Sequence, residues 1–480
     1  MRIAMAAAEC APFVKTGGLA DVMGALPKAL AELGHEVMVI LPKYTLISAE
    51  QEKEFQFKGD LEVPFKGQRE IYPIFEYWMN GVQFVFVEND AFYGRDQIYS
   101  QPDDAERFAF FSRAVLAVME AETEAFDILH VHDWHTAMLP LLLKEDERYA
   151  TLHSKTKTVL TIHNLQFQGY YPKETATQEF ELAERYFDDG LIEWRGSFNM
   201  LKTGILYADQ VTTVSPSYRD EILTESYGEN LQTLLQERAE DLIGILNGVD
   251  TVSYNPAADL MIEMPYDQTT MERKAVNKRA VQLRFNLPER GGIPLMTMVS
   301  RLAGQKGIDV LEETLPSLLK TQDVQFVLLG SGEEKYEQFF RQLAEEFPEK
   351  IAVHIGFDEE LAHLLYAGAD MFLMPSHFEP CGLSQLVSMI YGTVPVANKT
   401  GGLKDTVVEY DEVLRSGNGF LSDFAEQDRF EDALKRALKM YHHAEHWEII
   451  KRNGMDGDYS WSRSAGEYSR LYEKLVNKQG

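Results

Sequence analysis

Four clusters in this 480-residue chain bring together residue types that handle phosphate and hydroxyl groups. Lys15 stands two residues before Gly17 and Gly18. Glycines at a helix entry leave backbone N–H groups open beside the positive end of the helix dipole, and a nearby lysine reaches an anion that the amides also hold. Ser300-Arg301-Leu302-Ala303-Gly304-Gln305-Lys306-Gly307 sets two cations among glycines, which suits the charge that builds on a departing diphosphate. Pro375-Ser376-His377-Phe378-Glu379-Pro380-Cys381-Gly382-Leu383 puts a carboxylate beside the amides that open a helix, so acceptor and donors grip a polyol from two sides. The fourth cluster is His130, His132, Asp133 and His135, with His163 and Asn164 further on. Asp133 and His163, at strand ends, are the better site candidates, while satisfied structural histidines are the competing reading of His130 and His135. With no Cys partners and no carboxylate cluster to complete a shell, these histidines do not predict a metal.

Each loop also has a plainer reading, as a surface lysine by a turn, a basic loop on an acidic protein, or a Pro-terminated loop with an incidental Glu. A repeat weighs against those readings. The pattern Lys-Thr-Gly-Gly-Leu-x-Asp occurs at Lys15 to Asp21 and again at Lys399 to Asp405. Each copy follows a short apolar run (2–8 and 394–397) and precedes a stretch that can be helical. Two such copies predict two similar halves facing one ligand, with Gly17-Gly18 and Gly401-Gly402 both presenting open amides. Gly330-Ser331-Gly332 is either another nucleotide-contacting loop or punctuation.

The elements that must position these residues alternate between two kinds. Apolar runs at 37–41, 84–87, 128–131, 158–162 and 210–214 are separated by helix-like segments, and a second series follows at 295–299, 325–329, 352–355, 371–374 and 394–397. This is the α/β pattern of parallel sheets wrapped by helices. A chain of 480 residues exceeds one core. Turn formers from Asn247 to Pro265 place a hinge near 250–270 and give domains 1–255 and 256–459, with a final helix, 460–480, crossing back onto the first. Ligands bind beyond the carboxyl ends of parallel strands, so the expected architecture is two Rossmann-like domains facing across a deep cleft.

Composition narrows the partners. A net charge of −30 disfavours nucleic acid and anionic membrane surfaces. Two cysteines, Cys10 and Cys381, fit a reducing compartment. Glu9 ends the first apolar run short of a secretory signal, and no window approaches the roughly 18 apolar residues of a membrane span. A soluble, cytoplasmic protein is expected; its oligomeric state is not legible.

Taken in order, Lys15-Thr-Gly-Gly-Leu-Ala-Asp21, His132-Asp-Trp-His135, His163-Asn164, Val214-Ser-Pro216, Asn247-Gly-Val-Asp250, Ser300-Arg301 with Lys306-Gly307, Glu379-Pro-Cys-Gly-Leu383 and Thr400-Gly-Gly402 resemble bacterial glycogen synthases and plant starch synthases over nearly the full chain. The resemblance implies a GT-B-type architecture and a retaining transfer of glucose from ADP-glucose to the non-reducing end of an α-1,4-glucan, without a cofactor. By position it implies that Lys15 and the amides of Gly17 and Gly18 hold the diphosphate, with Arg301 and Lys306 stabilising departing ADP. Glu379 would bind the donor glucose together with the amides around Cys381, Gly382 and Leu383. Asp133, His163 and Asn247 would line the reacting sugar, and Glu9 and Asp21 the first-domain wall. Thr400, Gly401 and Gly402 join the substrate-binding set, and Phe357 takes the position where an aromatic ring stacks on adenine. Many related retaining transferases carry a second Glu eight residues after the first; that position is Val387 here, as the glycogen synthase pattern allows.

Three rivals fit less well. A glucan phosphorylase would need a lysine-bound pyridoxal cofactor. A Rossmann dehydrogenase would need a G-x-G-x-x-G after the first strand, which this chain lacks. A silent binding protein would have no use for the intact set Lys15, Arg301, Lys306 and Glu379.

Overall fold

A computed structural model describes residues 1–423 and 429–477. Contacts divide the chain into two units, Met1–Gly248 joined by the residues from Trp461 onward, and Val249–Ser460.

The first unit is built on strands β1 (Arg2–Ala6), β2 (Glu36–Pro42), β3 (Gln56–Phe65), β4 (Gln68–Met79), β5 (Val82–Val87), β6 (Ile128–His132), β7 (Lys157–Ile162), β8 (Tyr170–Tyr171), β9 (Glu193–Trp194), β10 (Ser197–Asn199), β11 (Gln210–Thr213) and β12 (Leu242–Gly244). Nine of them form one sheet in the order β12-β11-β7-β6-β1-β2-β5-β4-β3, and β8-β10-β9 form a small second one. From β12 to β5 all neighbours run parallel. The central strands β1, β2 and β5 are almost wholly buried and read as largely apolar runs, as parallel strands covered on both faces do.

The segment between β2 and β5 corrects the sequence reading, which placed helix-like structure there. It is an antiparallel hairpin, β3 and β4. Leu61, Val63 and Ile74 turn inward while Glu62, Arg69 and Glu70 face water, a period of two. The turn at Lys66-Gly67 takes positive φ at both residues (51° and 69°), which matches the twist of paired strands.

Helix Trp461–Asn477 packs into this unit. Trp461, Ala465, Tyr468, Tyr472 and Leu475 recur at helical spacing and share a core with Leu19, Val22, Met23, Leu26 and Leu30 of helix Gly18–Glu32. The Tyr472 hydroxyl also hydrogen-bonds His130 Nδ1 at 2.7 Å, and His130 Nε2 meets Thr161 Oγ1 at 2.6 Å. Both ring nitrogens of His130 are thereby spent on structure.

The second unit carries β13 (Leu295–Val299), β14 (Gln325–Gly330), β15 (Ile351–Ile355), β16 (Met371–Met374), β17 (Val394–Asn398) and β18 (Phe420–Ser422). They form one parallel sheet in the order β15-β14-β13-β16-β17-β18. The stretch expected to be a hinge, 250–270, is instead built into this unit. Asp259 accepts hydrogen bonds from His363 Nδ1 (2.8 Å) and the Tyr391 hydroxyl, Tyr254 stacks on His363, and the Asn277 side chain bonds both N and O of Met264. The dividing point lies at Gly248/Val249, ahead of residue 255.

Both large sheets reverse direction once. In the first, β1 is followed on one side by β2 while β6 lies on the other; in the second, β13 is followed by β14 while β16 lies opposite. Loops diverge at such a switch and leave a crevice beyond the strand ends. The loops there are those after β1 and β6, and after β13 and β16.

Candidate active site

In the second unit the two switch-point loops lock together around Glu379. After β13 the chain makes a 3-10 turn, Gly304–Lys306, and at Gly307 (φ 69°) it passes so close to β16 that an added Cβ would lie 1.9 Å from the Pro375 carbonyl oxygen. His377 N donates to Gln305 O at 3.0 Å, and the Asn398 side-chain amide holds the carbonyls of Pro375 and Ser376. This fixes the loop that carries Glu379, a residue only 6% exposed. Lys306 Nζ donates to Glu379 Oε2 at 2.6 Å, and the Ser376 hydroxyl donates to the same oxygen at 3.0 Å. A cation and a hydroxyl thus replace water around this buried carboxylate. Among the described residues, the amides of Gly382 and Leu383 find no acceptor and Arg301 makes no ion pair. The loops after β13 and β16 therefore offer a carboxylate acceptor with unspent amide donors next to it, and a cation, Arg301, outside any ion pair among the described residues.

In the first unit the loop after β1 curls back on itself. Glu9 accepts from Thr16 N, from the Thr16 hydroxyl (2.8 Å) and from Gly17 N (3.3 Å). Burial raises the Glu9 carboxyl above its ordinary value, and these hydrogen bonds offset part of that rise. Lys15 pairs with Asp21 at 2.6 Å across the first turn of helix Gly18–Glu32. Next to β1, β6 ends at His132, and Asp133 takes the left-handed conformation (φ 55°). That conformation turns its carboxylate under the following strand end, where it accepts from His163 N at 2.7 Å and from the Asn164 amide. Burial pushes the Asp133 carboxyl up to about 7. It pushes the His163 imidazole down to about 3, so that ring is neutral. His163 Nε2 shares a hydrogen bond with His132 Nδ1 at 3.0 Å. The buried Asn247 Oδ1 and His132 Nε2 have no hydrogen-bond partner among the described residues.

Residues 2–237 match a family model described as "Starch synthase catalytic domain", and residues 281–454 match one described as "Glycosyl transferases group 1". The chain is 45% identical over its whole length to the glycogen synthase of Geobacillus thermodenitrificans (strain NG80-2), of which it covers 99%. It is 46% identical to that of Bacillus subtilis (strain 168), covering 99% of this chain and 98% of the other. The chain belongs to the glycogen and starch synthase family. Its fold agrees with that of the catalytic domain of Starch Synthase IV from Arabidopsis thaliana, solved bound to ADP and acarbose, with a TM-score of 0.91, 32% identity and 99% of both chains covered. It is a glycosyltransferase of two parallel-sheet α/β domains.

Within this family member the residues singled out in the sequence fall into three groups. Glu379, Lys306, Gly382, Leu383 and Arg301 gather at the second switch point, and Glu9, Lys15, Gly17, Gly18, Asp21, Asp133 and His163 at the first or beside it. Phe357 follows β15 and is 84% exposed.

The third group departs from expectation. Gly401 and Gly402 are buried, and the Gly402 amide is engaged within the protein. An added Cβ would lie 2.1 Å from the Glu379 carbonyl oxygen at Gly401 and 2.1 Å from the Cys381 carbonyl oxygen at Gly402, while Gly402 N donates to Glu379 O at 3.0 Å. With the buried Thr400, these residues support the loop that carries Glu379. Gly330 and Gly332 similarly let the loop after β14 press on the backbone carbonyls of Ser300 and Leu302. Two residues were missed, Thr16 and Ser376. Both lie inside the quoted motifs, but only the folded loops show their hydroxyls turning onto Glu9 and Glu379.

Proposed function

We propose that the chain is a glycogen synthase that transfers glucose from ADP-glucose to the non-reducing end of an α-1,4-glucan with retention of configuration. The observation that carries this reading is the Glu379 pocket, an acceptor gripped by Lys306 and Ser376 next to the unspent amides of Gly382 and Leu383, with Arg301 on the loop that also carries Lys306. It suits a ligand that is a polyol at one end and an anion at the other. Support also comes from the relatives' names and from ADP and acarbose in the starch synthase neighbour.

In this reading Arg301 and Lys306, with Lys15 and the amides of Gly17 and Gly18, take the diphosphate, while Glu379 accepts hydrogen bonds from the glucose hydroxyls. The bond from the anomeric carbon to the β-phosphate oxygen breaks, and its electron pair leaves with ADP. Cations at that end stabilise the developing charge. The acceptor's 4-hydroxyl oxygen bonds to the anomeric carbon from the same face, and its proton passes to the departing phosphate oxygen. Neutral His163, ionisable Asp133 and Asn247 line the sugar, and Phe357 lies against adenine. The reaction draws on no metal, so activity persists in chelator.

The test is transfer of radiolabelled glucose from ADP-glucose and UDP-glucose to glycogen, run in parallel. Incorporation from ADP-glucose is expected, and none from either donor rejects the assignment. Glu379→Ala is expected to lower kcat by about 10²–10³; near-normal turnover removes Glu379 from its role, and a trapped glucosyl-enzyme rejects the same-face mechanism.

A further inference from the structure

The loop after β7 holds a feature that the donor site does not use. Four residues beyond His163, Phe167 stands 54% exposed, and three further on Tyr170 stands 45% exposed. The backbone beneath them is held at many points. Gln166 N donates to Asn164 Oδ1, and Leu165 N to the buried Tyr218 hydroxyl. The buried Gln168 side chain donates to Leu165 O and Glu229 O and accepts from Asn199. Gly169 (φ 67°) lies so close to Trp134, the neighbour of Asp133, that an added Cβ would fall 2.6 Å from the indole. The loop is thus tied to the Asp133–His163 cluster through Trp134 on one side and His163 on the other.

Backbone strain gathers around the same loop. Glu229 and Asn230 both have positive φ (45° and 67°), as does Arg195 (52°). The carbonyl of Glu229 is held by Gln168, and that of Asn230 by the Trp194 indole N–H at 3.1 Å. Arg195 with Gly196 makes the two-residue turn between β9 and β10, but left-handed backbone at the adjacent Glu229 and Asn230 persists only where surrounding bonds over-determine it, and such residues concentrate at ligand sites. Tyr170 and Trp194 both lie in the small sheet β8-β10-β9, in register with Asn199 and Ser197 of the central strand. Phe167 and Tyr170 thus stand exposed on backbone that is fixed before any ligand arrives, which makes this segment a candidate platform.

We infer that Phe167 and Tyr170 bind the acceptor, stacking on pyranose rings of the α-glucan whose terminal hydroxyl reaches the Asp133–His163 cluster. The inference rests on the proposed transferase reading. Pyranose faces carry C–H groups that pack on aromatic faces, and Tyr170 adds a hydroxyl for the sugar's edge. Phe167 supplies apolar contact alone. The two rings are specificity residues for the acceptor and not for the nucleotide.

The test measures KM for maltotriose, maltohexaose and ADP-glucose, and separately the binding of maltohexaose by calorimetry without nucleotide. Phe167→Ala is expected to raise the maltohexaose KM and dissociation constant about tenfold while the ADP-glucose KM stays within about twofold. Phe167→Trp, which keeps a stacking face, is expected to restore the wild-type values. Tyr170→Ala is expected to act in the same direction. Acceptor values unchanged in both alanine variants overturn the inference, as does a parallel rise in the ADP-glucose KM that Phe167→Trp fails to reverse. If wild type transfers no glucose yet binds maltohexaose through Phe167, the transferase reading fails and the glucan platform stands. If wild type is active and the variants are indifferent, the platform alone fails.

Discussion

The same seven-residue pattern, Lys-Thr-Gly-Gly-Leu-x-Asp, performs two different tasks in the two halves of the chain. At Lys15 to Asp21 the glycines lie at the surface of their unit, and no atom outside the loop stands within 4 Å of an added Cβ at Gly18. The loop's amides are drawn to the chain's own Glu9. At Lys399 to Asp405 the glycines are buried and pressed against the carbonyls of Glu379 and Cys381. Strand, turn and helix follow in the same order in both places, yet the first copy turns its amides onto a residue of its own loop, Glu9, and the second packs against a neighbouring loop. Local geometry sets what a motif is able to offer, and the long-range partner decides what is taken.

The largest expected effect breaks that contrast at the glycines. Gly402→Ala forces a carbon into the Cys381 carbonyl and is expected to lower stability by about 3 kcal/mol. Gly18→Ala is expected to leave stability within about 0.5 kcal/mol. Chemical denaturation of both variants checks this, and similar values would erase the distinction. A smaller effect separates the lysines. Lys15→Ala is expected to weaken ADP binding about tenfold, whereas Lys399→Ala, at an exposed lysine paired with Asp423, stays within about twofold, as read by calorimetry.

The smallest effect concerns the two buried carboxylates. Glu379 has a cation, but Asp133 is held by main-chain amides and makes no ion pair among the described residues. Burial raises the Asp133 carboxyl, so between about pH 4 and about 7 the folded chain holds a proton that the unfolded chain has lost. Its contribution to stability is therefore fully present below that window and is lost as pH rises through it. Asp133→Asn is expected to gain on wild type in melting temperature from pH 4 to 7 and to run parallel above it.

How far the sequence speaks follows from how local each signal is. Parallel strands such as β13 and β16 are short apolar runs flanked by glycine loops, and the motifs sit at their ends, so the α/β class and the loops of interest were legible. The β3–β4 hairpin was not, because charged residues are interspersed along β3 and much of the apolar side-chain content of β4, Ile71 and Trp78 among it, faces outward instead of forming a buried run. The mutual capture of Lys306 and Glu379 was also out of reach. The two side chains are 73 residues apart, and each motif alone predicts a different partner for its charge. The burial of Gly401 and Gly402 depends on the loop after β16, which their own heptad does not encode.

The embrace of Lys306 and Glu379 has a practical side for inhibitor design. A fragment that mimics only a phosphate or only a hexose must separate this couple and strand one member in a poorly hydrated niche. A compound carrying both features gives each member a replacement at once. Small pieces should thus score worse than their atom count suggests, and joining them should gain more than the sum of the parts.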